Sequence, residues 1–189
     1  MKGWTGRLLR INLSIGKHWV QDLDPSILIN YVGGRGLAVK LLWDELPRGI
    51  DPLSPLNKLI IAAGPLTGYP GPNTGKLVIA AKSPLTGGYG DGNIGSWASV
   101  HLRKAGFDAM IIEGASSKPV YIYVENEGVE VKPADELWGL DTFTTEDKLR
   151  SIYGSNVGML IIGPAGADLV GVGVGPAWGL LWVVRGLRR

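Results

Sequence analysis

Apolar and polar positions change period several times along the chain, and each change marks an element. Arg7–Leu13 alternates and then meets Ser14-Ile15-Gly16, the pattern of a strand running into a turn. His18–Leu23 reads as the returning strand. Asp24-Pro25-Ser26 starts a short helix through Tyr31, with Pro25 at the first helical position. Leu37, Leu41 and Leu42 recur at helical spacing from Gly36 to Leu46, and Pro47 ends that run. Leu59–Ala63 is a short apolar strand stopped by Gly64-Pro65, and Lys76–Ala81 is another, stopped by Ser83-Pro84.

The second half continues in the same alternation of signals. Ser96–Lys104 reads as a helix with Gly106 as a left-handed cap just past its end. Ala109–Glu113 is a strand. Val120–Val124 and Val129–Lys132 flank Glu125-Asn126-Glu127-Gly128, a hairpin signal. Thr142–Tyr153 reads as a helix with Thr144 or Thr145 near its cap, and Val157–Ile162 as a last buried strand. Strands outnumber helices and no linker splits the chain. The expected fold is therefore a single α+β domain with mixed or antiparallel sheets, hairpins and a few helices. Leu59-Ile60-Ile61 with Gly64-Pro65 echoes Leu160-Ile161-Ile162-Gly163-Pro164, and Pro65-Leu66-Thr67-Gly68 recurs as Pro84-Leu85-Thr86-Gly87. Both an internal structural duplication and shared turn chemistry account for this echo.

Composition narrows the function classes. The 189 residues suffice for one sizeable core, and 45% hydrophobic residues fit a globular chain. A net charge of +2 with scattered Lys and Arg argues against nucleic acid. The absence of cysteine excludes disulfides, thiolate zinc sites and any iron–sulfur cluster held by this chain's own thiolates. It is also compatible with the cytoplasm. Val170–Val184 is glycine-rich, broken by Pro176 and short for a membrane span, so no membrane segment is expected.

Candidate chemistry lies in glycine-rich stretches. Gly87-Gly88-Tyr89-Gly90-Asp91-Gly92-Asn93-Ile94-Gly95-Ser96 feeds a helix, where close backbone approach and unpaired N–H groups suit a phosphate. An ordinary loop with Asn93 or Ser96 as N-cap is the plainer reading. No Gly-Lys-Ser/Thr follows, so it is not a P-loop. A second such stretch, Gly68 to Lys76, places a cation at the start of a strand, where it faces either solvent or an anion held near Asn93. Gly33-Gly34-Arg35-Gly36 fits an anion nest or a tight turn with Arg35 on the surface. His18 and His101 lack partners at ligand spacing and read as structural or surface groups. No catalytic trio or carboxylate pair emerges, and no catalytic residue is assigned.

Several segments together carry a resemblance. They are Gly6-Arg7-Leu8-Leu9-Arg10-Ile11-Asn12-Leu13, Gly34-Arg35-Gly36-Leu37-Ala38, and Asp51-Pro52-Leu53-Ser54-Pro55 running into Gly64-Pro65-Leu66-Thr67-Gly68. Lys82-Ser83-Pro84-Leu85-Thr86-Gly87, Lys104-Ala105-Gly106-Phe107-Asp108, Ile112-Glu113-Gly114 and Ile162-Gly163-Pro164-Ala165-Gly166 follow in order. Over residues 1–168 this order resembles the N-terminal domain of aldehyde:ferredoxin oxidoreductases. The resemblance implies an enzyme that oxidises aldehydes to carboxylic acids and passes electrons to ferredoxin. It implies tungsten held by two pyranopterins, with magnesium joining their phosphates and a four-iron cluster ligated outside this chain. The N-terminal domain is then the platform under the pterins, and the later domains bring the cluster ligands and the aldehyde pocket. The family's pterin-contacting positions fall on Asn93 and Gly95, with the main-chain oxygen of Asn93 on the magnesium. The usual Arg between pterin and cluster falls on Lys76, which keeps the charge and loses the planar fork. On this reading the chain alone is inactive and holds no cofactor. Its alternatives are a small subunit of a two-chain tungsten or molybdenum enzyme, and a cofactor-free interaction domain that kept the fold.

Residues 169–189 depart from the family pattern. The resemblance implies a pterin-binding run ending like Leu-Gly-Ala-Val-Met-Gly-Ser-Lys-Gly-Leu-Lys. Shifted by one nucleotide, codons for that run can spell Trp-Gly-Leu-Leu-Trp-Val-Val-Arg-Gly-Leu-Arg, the sequence from Trp178 to Arg188. Met followed by Gly must then read as Trp, and Trp182 stands there. A frameshift between about Ala167 and Gly175 is therefore expected, with the final residues irregular or packed on another copy of the chain in a homo-oligomer.

Overall fold

The computed structural model describes residues 3–126 and 128–164, and the backbone of 180–185. Two mixed sheets and four helices share these residues. β1 (Arg7–Asn12) and β2 (Lys17–Asp22) form a hairpin, with Arg7 opposite Asp22 and Asn12 opposite Lys17. β3 (Lys58–Ala63), β4 (Lys76–Lys82), β5 (Tyr89–Gly95) and β6 (Ala109–Glu113) complete a six-stranded sheet ordered β2-β1-β6-β3-β4-β5. Only β1 and β6 in it run parallel. The second sheet is ordered β8-β7-β10-β9, from β7 (Val120–Glu125), β8 (Gly128–Pro133), β9 (Gly158–Leu160) and β10 (Leu180–Arg185).

The four central strands of the first sheet, β1, β6, β3 and β4, are covered on both faces, which is why they read as near-continuous apolar runs. On one face lie α1 (Pro25–Tyr31) and α2 (Gly34–Glu45). Leu28, Leu37, Ala38, Leu41 and Leu42 pack there on Leu8, Ile60, Ala62, Val78 and Ala80. On the other face α3 (Trp97–Lys104) carries Ala98 and Leu102 onto Leu9, Ile61, Leu77 and Phe107. Ile122, Val124 and Val129 of the second sheet join that same cluster, so the two sheets share one core. α4 (Thr142–Tyr153) covers the outer face of the second sheet, where Leu149 meets Tyr121 and Tyr123.

The architecture is the expected single-domain α+β fold of mixed sheets and hairpins. Three local readings change. The stretch from Gly87 to Ser96 is not a loop feeding a helix, because Tyr89–Gly95 is the edge strand β5, paired residue for residue with β4. The cap of α4 is Asp141 rather than Thr144 or Thr145, since its carboxylate accepts the Phe143 and Thr144 N–H groups, each at 2.9 Å. The expected irregular end is not met at Leu180–Arg185, which pairs parallel with β7 and antiparallel with β9. The run Leu-Leu-Trp-Val-Val has high strand preference and finds hydrogen-bonding partners on both sides. The proposed frameshift point and residues 170–179 of the apolar stretch lie outside the described residues. Among those described, no helix is long and apolar enough to cross a membrane.

The recurrent Pro-Leu-Thr-Gly segments are turns of the same kind. Gly68 and Gly87 close them at φ 79° and 69°, a backbone shape that favours glycine. The apolar runs beside them enter different sheets, Leu59 in β3 and Leu160 in β9.

Candidate functional site

Register decides what β5 can present. Gly88 O accepts the Ser83 N–H at 2.8 Å and Gly75 O accepts the Ser96 N–H at 3.0 Å, so these pairs bracket the β4–β5 ladder. In an antiparallel ladder bonded and non-bonded pairs alternate. The pairs Ala80 with Asp91, Val78 with Asn93 and Lys76 with Gly95 are therefore the non-bonded ones. The main-chain N–H and C=O groups of Asp91, Asn93 and Gly95 point away from β4, toward the open edge of the sheet. Side chains of directly opposed residues share a face. Those of Asn93 and Asp91 thus lie on the face of Val78 and Ala80, under α2.

The three residues named from the resemblance come together there. Lys76 faces Gly95 across the strands, and a Cβ at Gly95 would sit 3.7 Å from the Lys76 ammonium. Asn93 lies two residues along the same face. All three are exposed. Among the described residues no ion pair engages Lys76 and no side-chain hydrogen bond engages Asn93. At Gly92, whose Cβ direction is the opposite face of β5, a Cβ would meet nothing within 4 Å. An unpaired cation, a free amide and outward carbonyls form a donor and acceptor set that fits phosphate and a hard cation.

α3 does not contribute as the sequence suggested. Its N-cap Ser96 already accepts the Ala98 N–H at 3.0 Å, and the helix packs on the opposite face from Asn93. The helix start near the site belongs to α2. Gly33 begins it without a side-chain cap, and a Cβ on Gly34 would lie 3.5 Å from Val78, the partner of Asn93.

Sequence reading missed the clamp beside this face. Arg35, in the first turn of α2, holds Asp91 of β5 through two nitrogens, with Nη2 at 3.1 Å from Oδ1. Tyr89 donates its hydroxyl to Asp91 at 3.1 Å. Hydrogen bonding and the charge of Arg35 hold the Asp91 carboxyl below its usual range. Burial, and then the Asp91 charge, push the Tyr89 hydroxyl up to about 12. The partners stand 56 residues apart, and only a general rule for opposite charges could have linked them. Among the described residues no cluster of three His, Asp or Glu side chains could hold a metal, and neither histidine joins the site. His101 is buried in α3 and His18 is exposed in β2.

The fold is that of the N-terminal domain of an oxidoreductase family. It superposes with a TM-score of 0.93 and 30% identity on the active site complex BamBC of benzoyl coenzyme A reductase, covering 99% of this chain and 31% of that one. The chain belongs to the aldehyde ferredoxin oxidoreductase family: the family model for its N-terminal domain matches residues 8–174. The tungsten-containing aldehyde ferredoxin oxidoreductase of Pyrococcus furiosus is 45% identical over 171 residues, 90% of this chain and 28% of the relative. That of Thermococcus kodakarensis is 43% identical over the same shares. The WOR-like subunit of an aliphatic sulfonate oxidoreductase from Pyrococcus furiosus is 38% identical over 144 residues, 74% of this chain and 23% of the subunit. The chain thus spans less than a third of these relatives' length.

Proposed function

We propose that this chain is the cofactor-bearing N-terminal domain of a cytoplasmic tungsten-pterin enzyme that oxidises aldehydes to carboxylic acids with ferredoxin as electron acceptor. The observation that carries the reading is the open face formed by Lys76, Asn93 and Gly95, with the Asn93 carbonyl turned off the sheet edge. When bound, the tungsten-pterin group supplies the two-electron redox centre. The chain's own residues position it. Lys76 would stand as a point charge between pterin and cluster, Gly95 would let the backbone approach the pterin, and the Asn93 main-chain oxygen would be offered to the magnesium. Few side chains stand along this edge, because glycine occupies three of the seven positions of β5.

The iron ligands and the aldehyde pocket belong to the part of the family protein outside this chain, so the chain alone turns over no aldehyde. A two-chain enzyme is the second reading, favoured by the subunit nature of the sulfonate oxidoreductase relative and the complex containing the structural neighbour. Purification from the native host, followed by tungsten and pterin analysis, tests both. The reading expects two pterins for each tungsten in whatever polypeptide carries these 189 residues. A metal-free, pterin-free product at full occupancy of its partners would leave only the interaction-domain alternative. A cysteine-bearing second polypeptide in the same complex would select the two-chain form. A Lys76→Ala change is expected to lower pterin retention, and Lys76→Arg to keep it.

A further inference from the structure

Between α1 and α2 the chain turns in a way its sequence does not favour. Val32, Gly33 and Gly34 have φ of 63°, 153° and 51°. Glycine accepts such angles freely, but Val32 is β-branched and is an outlier there. Its ψ is −58°, and the Gly33 N–H donates to Tyr31 O at 2.7 Å. This is the γ-turn of the rare and strained hand. Val32 belongs to none of the apolar clusters of the described residues, so packing within them does not offset the strain. Close approaches fix the chain on either side. A Cβ at Gly33 would lie 2.8 Å from Ala63 O, and one at Gly36 would lie 2.4 Å from Tyr31 O. A relaxed Val32 would therefore shift the start of α2 relative to the end of β3.

A contact from outside both helices reaches the turn. Trp4 donates its indole Nε1–H to Val32 O at 2.6 Å, and its ring packs against the cluster that α1 and α2 share with the sheet. The segment that carries Trp4 is itself anchored. The Thr5 and Gly6 N–H groups donate to the Asp108 carboxylate at 3.1 and 2.7 Å. Arg103 pairs with Asp108 and donates from Nη2 to Gly3 O at 2.7 Å. Asp108 is buried, so this anchor sits in the fold and not at its surface. On the far side of the turn, Arg35 grips Asp91 of β5, two residues before Asn93. Contacts thus run without a gap from Asp108 through Trp4 and Val32 to the strand that carries Asn93 and Gly95.

We propose that Trp4 is a positioning residue: its bond to Val32 O holds the strained turn, and the turn sets Arg35 on Asp91 and so fixes β5. A backbone outlier persists only where its surroundings over-determine it, and such outliers gather at functional sites. That β5 bears a cofactor rests on the function proposed above. The hold on β5 does not, and it is read in the chain free of cofactor.

Two measurements on the full 189-residue chain test this together: NMR titration of the Asp91 carboxyl and site-resolved amide exchange. In the parent, Asp91 titrates below its ordinary range because Arg35 holds it. Trp4→Phe keeps a ring in the core and removes the N–H. It is expected to raise the Asp91 titration toward the ordinary range. It is also expected to speed exchange of the Gly92 and Ile94 amides, which bond to β4, about fivefold, the loss of one hydrogen bond. The β6 amides should exchange as in the parent. Val32→Gly alone is expected to leave both readings near the parent, since glycine takes the turn without strain. Added to Trp4→Phe, it is expected to restore both, because a glycine turn needs no outside hold. Lost core packing would not be repaired in that way, so the double variant separates positioning from plain destabilisation. Asp91 and β5 unchanged by Trp4→Phe would overturn the proposal. So would a loss of protection shared equally by β6, a loosened β5 in Val32→Gly alone, or a double variant no closer to the parent than Trp4→Phe.

Discussion

Asp91 ties a glycine-rich strand to a helix, and its replacement isolates that one contact. Three glycines in seven residues give β5 little strand preference of its own. The Arg35–Asp91 pair is the cross-tie from its face to α2. Asp91→Asn is expected to speed hydrogen exchange in β4 and β5 while leaving β1 and β6 unchanged, and Asp91→Glu to recover part of the protection. The same contact gives a pH dependence. The folded carboxyl titrates below its ordinary range, so its contribution is present above that range and is lost as pH falls through the lowered value. Acidification below the ordinary carboxylate range is expected to open the β4–β5 hairpin ahead of the rest, as read by site-resolved exchange. At this scale the sequence offered the Asn93 stretch and Lys76 as an anion site or as plain turns, and the resemblance alone singled out Lys76, Asn93 and Gly95 as a set. Glycine loops and lone lysines are too common to be read on physics alone. Arg35 with Asp91, and Asp141 as the α4 cap, depended on spatial pairing and on which of several polar residues reached the free amides.

Most elements were legible because their apolar period matched their structure. β6 and α4 have the expected bounds, and the β1–β2 and β7–β8 hairpins differ from expectation by a residue at their ends. β5 was not legible, since alternating glycines carry no hydrophobic signal. β10 was read as a foreign tail, although its apolar run is itself a strand signal. Packing between elements gives two predictions. A Cβ at Gly158 of β9 would lie 2.4 Å from the Ala98 Cα of α3. Gly158→Ala is therefore expected to force α3 and β9 apart and cost about 1–3 kcal/mol in denaturant unfolding. Lys58 of β3 sits between Glu45 of α2 and Glu113 of β6, and Glu45 also holds Arg10 of β1 at 3.0 Å. Burial pushes the Glu113 carboxyl up, but Lys58 overcomes it and leaves it below the ordinary range. Lys58→Met would leave two half-buried carboxylates short of a partner, at a cost of about 1–3 kcal/mol. The loss should shrink as acid neutralises Glu113, since the stabilisation from its lowered carboxyl is present only above its titration.

The shared core makes the two sheets one thermodynamic unit. Ile122 of β7 is fully buried in the cluster that holds Leu9, Ile61, Phe107 and Met110 of the first sheet and its connections. Ile122→Ala is expected to cost about 2–5 kcal/mol and to lower Tm by roughly 4–20 °C. Far-ultraviolet and near-ultraviolet signals should move together. Separate transitions for the two sheets would contradict a single core.

β10 sets a timetable for synthesis. It stands between β7 and β9, so those two strands cannot become neighbours until residues 180–185 have left the ribosome. The first sheet needs nothing later than β6 and can close while translation continues. Until then β7 shows the nascent chain's surroundings a bare apolar border, beside a half that has already folded. A chaperone that recognises extended apolar segments would meet this polypeptide during that interval, and a pause in translation just before Leu180 would prolong it.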